Sequence, residues 1–257
     1  MTSLTRIIAG MSREGNDWRA TIPETWLQGR TAYGGMSAAL ALHAAQHSDE
    51  DLPVLRSAQI AFIGPLAGEV TVRATKLRRG RNAAWIQADV ESEAGLGLRA
   101  IFVFMGSVAS KVDHQVGSAP HFPPPGPDTK VFTGFPGVNF TRNFELLDQR
   151  EDLGPTEWLR WVRLAEREGL DPMVELVAIA DCLPPAALKL VGGPAPVSSM
   201  TWQLNLLGPT PRTDDGWWLL RASADYAKDG SSSQTMAIWN RAGMPVADQV
   251  QSVAIFA

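Results

Sequence analysis

The chain has little that would serve a covalent framework. Cys182 is its one cysteine in 257 residues, so no disulfide can close within the chain. That fits a reducing compartment, and the expected location is cytoplasmic. Histidine is scarce as well: His43, His47, His114 and His121 are the whole set. His43 and His47 stand one helical turn apart, but a third ligand is missing and no His-Glu-x-x-His motif occurs, so no metal site is expected. No apolar run approaches the ~20 residues of a membrane span, and the start of the chain is too short in its apolar part for a secretory signal. No membrane is therefore expected among the partners. A basic excess is also missing. The net charge is −4, which argues against nucleic acid as a partner. The cluster Arg73, Lys76, Arg78, Arg79 and Arg81 reads first as a solvated strand end, with an anionic substrate as the rarer alternative. Neither a Gly-x-Ser-x-Gly elbow nor a Gly-x-Gly-x-x-Gly fingerprint is present. The carboxylate of Asp181 beside Cys182 would hold that thiol protonated, which argues against a cysteine nucleophile.

What the chain does have is a repeat. Gln59-Ile60-Ala61-Phe62-Ile63-Gly64-Pro65 returns as Gln203-Leu204-Asn205-Leu206-Leu207-Gly208-Pro209, an offset of 203 − 59 = 144 residues. Gly80 and Ala94-Gly95 find later echoes in Gly230 and Ala242-Gly243. A period this long is no solenoid, whose units run about 20–50 residues. Two fused copies of one domain, with any site near the seam between them, is the natural reading.

Each copy reads as a helix followed by strands. After Gly34-Gly35, residues 36–45 are almost all small or apolar, which predicts a buried helix. Alternating or turn-bounded segments at 56–63, 70–77, 84–91 and 98–105 predict an antiparallel meander. The second copy offers a helix over about 171–182 and strands at 197–207, 217–226, 233–240 and 246–256. Between the copies, residues 109–140 hold Pro120, Pro123, Pro124, Pro125, Pro127 and Pro136, a linker composition. The expected division is thus 1–108, a linker over 109–140, and 141–257. The fold class is α+β.

The pattern Ala32-Tyr33-Gly34-Gly35-Met36, a small-residue helix and a strand closed by Gly64-Pro65 resembles the bacterial type II acyl-CoA thioesterases. These are double hotdogs, in which a long antiparallel sheet wraps a central helix in each of two fused copies. The resemblance implies hydrolysis of acyl-CoA to free acid and CoA, with no cofactor beyond the CoA of the substrate, in a chain that assembles as a homo-oligomer. It implies a catalytic Asp, Thr and Gln. The Asp falls on Asp181, the Gln on Gln251, and the Thr on Ser199, a departure that keeps a hydroxyl; Ser198 is the neighbour one register away. A family histidine is replaced by Gln59, which with Gly34 and Gly35 makes the expected substrate-binding set.

The residues bear on these assignments independently. Asp181 shares a helix face with Val174, Val177 and Ala178. A carboxylate on an apolar stripe is costly unless partnered; capping the Pro184-Pro185 turn is the alternative reading. Strict alternation places Ser199 with Thr201, Gln203 and Asn205 on a polar face, which on its own reads as solvated. Gln251 needs partners for both ends of its amide if buried. Gly34-Gly35 offers bare amides at a helix start, or simply a tight turn. Two other readings of the function stay open: a hotdog hydratase or dehydratase, disfavoured because no histidine accompanies the second helix, and a non-catalytic acyl-CoA-binding protein.

Overall fold

The computed structural model describes residues 2–149, 151–193, 195–208 and 211–257, so Pro209 of the second echo lies outside the described residues. A short helix α1 (Leu4–Ala9) leads into the hairpin β1 (Ser12–Glu14) and β2 (Asp17–Ile22). A small ribbon, β3 (Leu27–Gln28) and β4 (Thr31–Ala32), hands the chain to α2 (Gly34–Gln46). The meander follows as β5 (Leu55–Phe62), β6 (Gly68–Arg79), β7 (Ala83–Ser92) and β8 (Gly95–Met105). The second copy comprises β9 (Phe132–Thr133), β10 (Phe144–Asp148), β11 (Glu157–Leu164), α3 (Pro172–Ala180), α4 (Leu188–Val191), β12 (Val197–Leu206), β13 (Trp218–Lys228), β14 (Ser231–Asn240) and β15 (Pro245–Ile255).

The helix-then-meander order holds in both copies. Each copy also carries a hairpin ahead of its helix, β1–β2 and β10–β11, that the pattern did not reveal. β11 shows why: Trp158, Leu159, Trp161 and Val162 are apolar on both faces, so no alternation marks the strand.

Among the described residues thirteen strands form one antiparallel sheet, in the order β1-β2-β6-β7-β8-β5-β12-β15-β14-β13-β11-β10-β9. The copies join where β5 pairs with β12, and there Gln59 lies directly opposite Gln203. These are the two residues that define the 144-residue echo. A pseudo-two-fold axis therefore passes through this pair, because equivalent positions meet only on the axis. The symmetry extends to irregularities. β5 bulges at Arg56 and β12 at Met200, while β6 bulges at Leu77 and β13 at Asp225.

α2 and α3 lie against each other inside the curved sheet, in one continuous apolar core. α2 is buried almost all round, as its composition predicts. On the sheet's outer side a second cluster, Leu159, Trp161, Trp217, Leu219 and Trp239, is roofed by Ala119, Phe122 and Val131 of the proline-rich stretch. Trp161 Nε1 donates to the Phe122 carbonyl at 3.1 Å, and Arg241 to that of Pro125 at 3.1 Å. The architecture is an α+β double hotdog.

Candidate active site

α3 ends where α2 begins. Its last turn is fixed by Tyr33, whose hydroxyl donates to the Ala178 carbonyl at 2.7 Å. That carbonyl is one of the four a helix leaves without an internal partner. Tyr33 is itself held by a parallel stack on Phe140, with ring centroids 4.2 Å apart. The fit is close: a Cβ added to Gly35 would sit 2.5 Å from the Ala178 oxygen and 2.6 Å from the Tyr33 hydroxyl. Only glycine admits this approach.

Asp181 is the residue that ends α3, in the cap position. Its carboxyl faces Gly34, where an added Cβ would lie 2.5 Å from Oδ2 and 2.9 Å from the Phe62 ring. Gln251 Nε2 donates to Asp181 Oδ1 at 2.7 Å. Burial pushes the carboxyl up to about 7, against the opposing pull of Gln251 and of the Gly35 backbone N–H. Both donors favour the ionised form, yet desolvation outweighs them. The group is thereby poised to exchange a proton near neutral pH.

Gln251 is 3% exposed and belongs to a longer chain of bonds. Its Oε1 accepts from Gln234 Nε2 at 2.7 Å, and Gln234 Oε1 accepts from the Ala186 backbone N–H at 2.9 Å. Both ends of each amide are thus occupied. The sequence reading overlooked Gln234. Its signal was there: β14 places Gln234 on the face of Met236 and Ile238, an amide in an apolar row.

Ser199 is where strict alternation misleads. The bulge at Met200 shifts the register, so that Ser199 pairs with Val253 while Trp202 pairs with Gln251. Val253, Trp202 and Gln251 are all buried. Paired residues point to one side of a sheet, so Ser199 faces inward with Gln251 rather than outward with Thr201, Gln203 and Asn205. The same register turns Ser198 outward, and it is exposed.

Gln59 is not brought to this site. It is exposed on the outer face of β5, opposite Gln203, while its neighbours Ala58 and Ile60 fill the core. A period of two sends adjacent residues to opposite faces, so it cannot join Asp181. The basic cluster is partly neutralised: Arg73 pairs with Asp17, and Lys76 and Arg79 with Asp49. Cys182 is buried, and its thiol is pushed up to about 12, mainly by burial. His43 and His47 pack on Trp18 near the far end of α2. Among the described residues no three His, Cys, Asp or Glu side chains gather into a metal-holding group, and no helix is long and apolar enough to cross a membrane.

Comparison with known proteins places this arrangement. The profile of the acyl-CoA thioesterase C-terminal domain matches residues 116–255, and that of the acyl-CoA thioesterase N-terminal domain matches residues 22–105. A conserved protein of unknown function with a hot dog fold, from Alicyclobacillus acidocaldarius, superposes with a TM-score of 0.86 at 19% identity, over 100% of this chain and 99% of that one. The tesB protein of Mycobacterium avium subsp. paratuberculosis gives 0.80 at 19% identity, over 99% and 100%. The acyl-CoA thioesterase II of Mycobacterium marinum gives 0.79 at 17%, over 98% of each chain. At such identities the structural likeness is one of fold. Among curated protein sequences none matches this one. The two profile matches, in the order and at the places of the two hotdogs, settle the family: the chain belongs to the acyl-CoA thioesterases.

Proposed function

We propose that the protein hydrolyses acyl-CoA thioesters to the free acid and CoA, using a water activated by Asp181. The observation that carries the reading is the 2.7 Å bond from Gln251 to a carboxyl raised to about 7, at the joint between the two helices. A general base works best when its pKa lies near the working pH. In the proposed step the water oxygen attacks the thioester carbon and its proton passes to Asp181. The tetrahedral intermediate then expels CoA as a thiolate, which takes the proton back. Gln251 and Ser199 hold the water and the carbonyl. An N–H at the start of α2 other than that of Gly35, which bonds Asp181, stabilises the developing oxyanion, as helix starts do for anions. Gly34, where a Cβ would lie 2.5 Å from Asp181 Oδ2, lets the start of α2 approach the carboxyl. The step uses no metal or redox cofactor, and acyl-CoA is the only ligand it requires.

A hydratase would need a histidine beside the carboxylate. His43 and His47 pack edge-on against Trp18 instead, and His114 and His121 are exposed between the two copies. Beyond the reaction, the reading includes a cytoplasmic homo-oligomer, whose assembly light scattering would measure.

The deciding experiment is release of free thiol from short, medium, long and aromatic acyl-CoAs, with Asp181→Asn beside the parent. Loss of roughly 10²–10³ in turnover with folding intact is the expected result. Since Asp181 acts only when deprotonated, the parent's rate should climb with pH through about 7. No turnover on any thioester, or turnover indifferent to Asp181, sinks the reading.

A further inference from the structure

We propose that Gln234 is a positioning residue of the Asp181 site, fixing which end of the Gln251 amide meets the carboxylate. The proposal rests on the hydrolase reading for its catalytic consequence, but its geometry stands apart from it.

The argument begins with a group that cannot reverse. A backbone N–H only donates. That of Ala186 points at one end of the Gln234 amide, 2.9 Å away, so this end must be the carbonyl oxygen. The other end is then the NH₂ group, 2.7 Å from Gln251, and needs an acceptor there. Gln251 must answer with its own oxygen, which turns its NH₂ toward Asp181. Three bonds run in one direction, set at their source by a peptide group.

An isolated glutamine has no such orientation, because its two ends are nearly alike in shape. With its oxygen toward Asp181 it would favour the protonated acid; with its NH₂ it favours the carboxylate, the form a base requires. Gln234 is 0% exposed, so bulk water does not take over its bonds. The relay also closes on itself. Asp181 and Ala186 belong to one segment after α3, and β14 and β15 hold both ends of it through the two amides. Satisfying the Ala186 N–H needs only an acceptor. The second bond, to Gln251, is what a purely structural role would not require.

The other groups that bear on Asp181 are few. Tyr33 precedes α2, and Cys182 follows in the chain. Arg160 of β11 and Asp148 of β10 act on Cys182 and form an ion pair with each other. None of them touches the Gln251 amide, so a change at Gln234 reaches Asp181 through Gln251.

The test combines kinetics with nuclear magnetic resonance on the full chain. Gln234→Met keeps the length of the side chain but cannot donate. We expect it to lower kcat by roughly 10- to 100-fold with KM little changed. It should also raise the Asp181 titration, read from the carboxyl ¹³C resonance, by at least about half a unit. In a Gln251→Ala background the same substitution should change neither quantity. In the unmutated protein the Gln251 NH₂ resonance should shift as Asp181 titrates, a readout that needs no variant to fold. The proposal is overturned if that resonance ignores Asp181, if Gln234→Met leaves the titration unmoved, or if its effect is the same without Gln251. A parent that cleaves no thioester, while the Asp181 titration still moves with Gln234, removes the hydrolase reading and leaves the relay standing.

Discussion

The helix pair has two ends, and the pseudo-two-fold axis makes them counterparts. At one, α3 finishes beside the start of α2; at the other, α2 finishes beside the start of α3. Asp181 lies 181 − 171 = 10 residues after the cap residue of α3, and His43 lies 43 − 33 = 10 after that of α2. Strand register completes the match. Gln251, paired with Trp202, corresponds to Phe102, paired with Ala58. Gln234, beside Gln251, corresponds to Ile86, beside Phe102. Ser199, just before the bulge of β12, corresponds to Leu55, just before that of β5. One end is a polar relay, and the other has Phe, Ile and Leu in the same places. His43 itself is lowered to about 4, mostly by burial and then by His47, and so is neutral at pH 7. A cavity of about 420 Å³ lies at that end, walled by Leu55, Phe104, Pro172 and Met173, with Asp51, Asp171 and the Asp49 that pairs with Lys76 and Arg79.

The difference shows that a buried polar network is kept whole or given up whole. A half-satisfied relay costs more than an apolar filling, because each orphaned group bears its full desolvation penalty. A symmetric homodimer would have to change both ends together. Fusion gave each end its own residues.

Exchange of the two key residues tests this most severely. Asp181→His combined with His43→Asp should leave turnover about 10²–10³ below the parent, equivalent to about 2.7–4 kcal/mol, since Phe102 and Ile86 have nothing to donate. Recovered thiol release would break the comparison. Next in size is the contrast between the helix starts. Gly35→Ala should cost roughly 1–3 kcal/mol in urea unfolding, because its Cβ collides with backbone. Pro172→Ala, at the first position of α3 and thus the counterpart of Gly34, should cost less than about 1 kcal/mol. A third effect depends on pH. The folded chain holds a proton on Asp181 that the unfolded chain releases, between the ordinary carboxylate range and about 7. Raising the pH through that window therefore removes stability. Asp181→Asn escapes this, so its melting temperature should exceed the parent's at pH 8 and match it near pH 4. Smallest is Tyr33→Phe, which frees the Ala178 carbonyl and should cost about 1 kcal/mol.

The contrast between the ends also explains what could be read in advance. Uniformly small and apolar composition located α2, and periodicity and turn chemistry located the eight meander strands, which bury one face and show it. Asp181 and Gln251 stood out as polar residues in apolar surroundings. Ser199 could be named only through the resemblance, since alternation put it on the outer face. The bulge at Met200 that turns it inward is a matter of register between strands 50 residues apart, invisible along one strand. Gln59 failed for the opposite reason. Matching it to a family histidine outweighed the plain alternation that sends it outward.

The seam also sets an order of events. β6, β7 and β8 pair with chain neighbours, as do β13, β14 and β15. β5 and β12 must find partners across 201 − 61 = 140 to 205 − 57 = 148 residues. Closing so long a loop is the slow part of folding. Each half should therefore condense first, and hydrogen-exchange pulse labelling should protect the hairpins before the β5–β12 contact. Asp181 and the Gly34-Gly35 turn belong to different halves. Until the halves dock, a partly made chain carries Asp181 and the Gly34-Gly35 turn apart, and cannot bring them together.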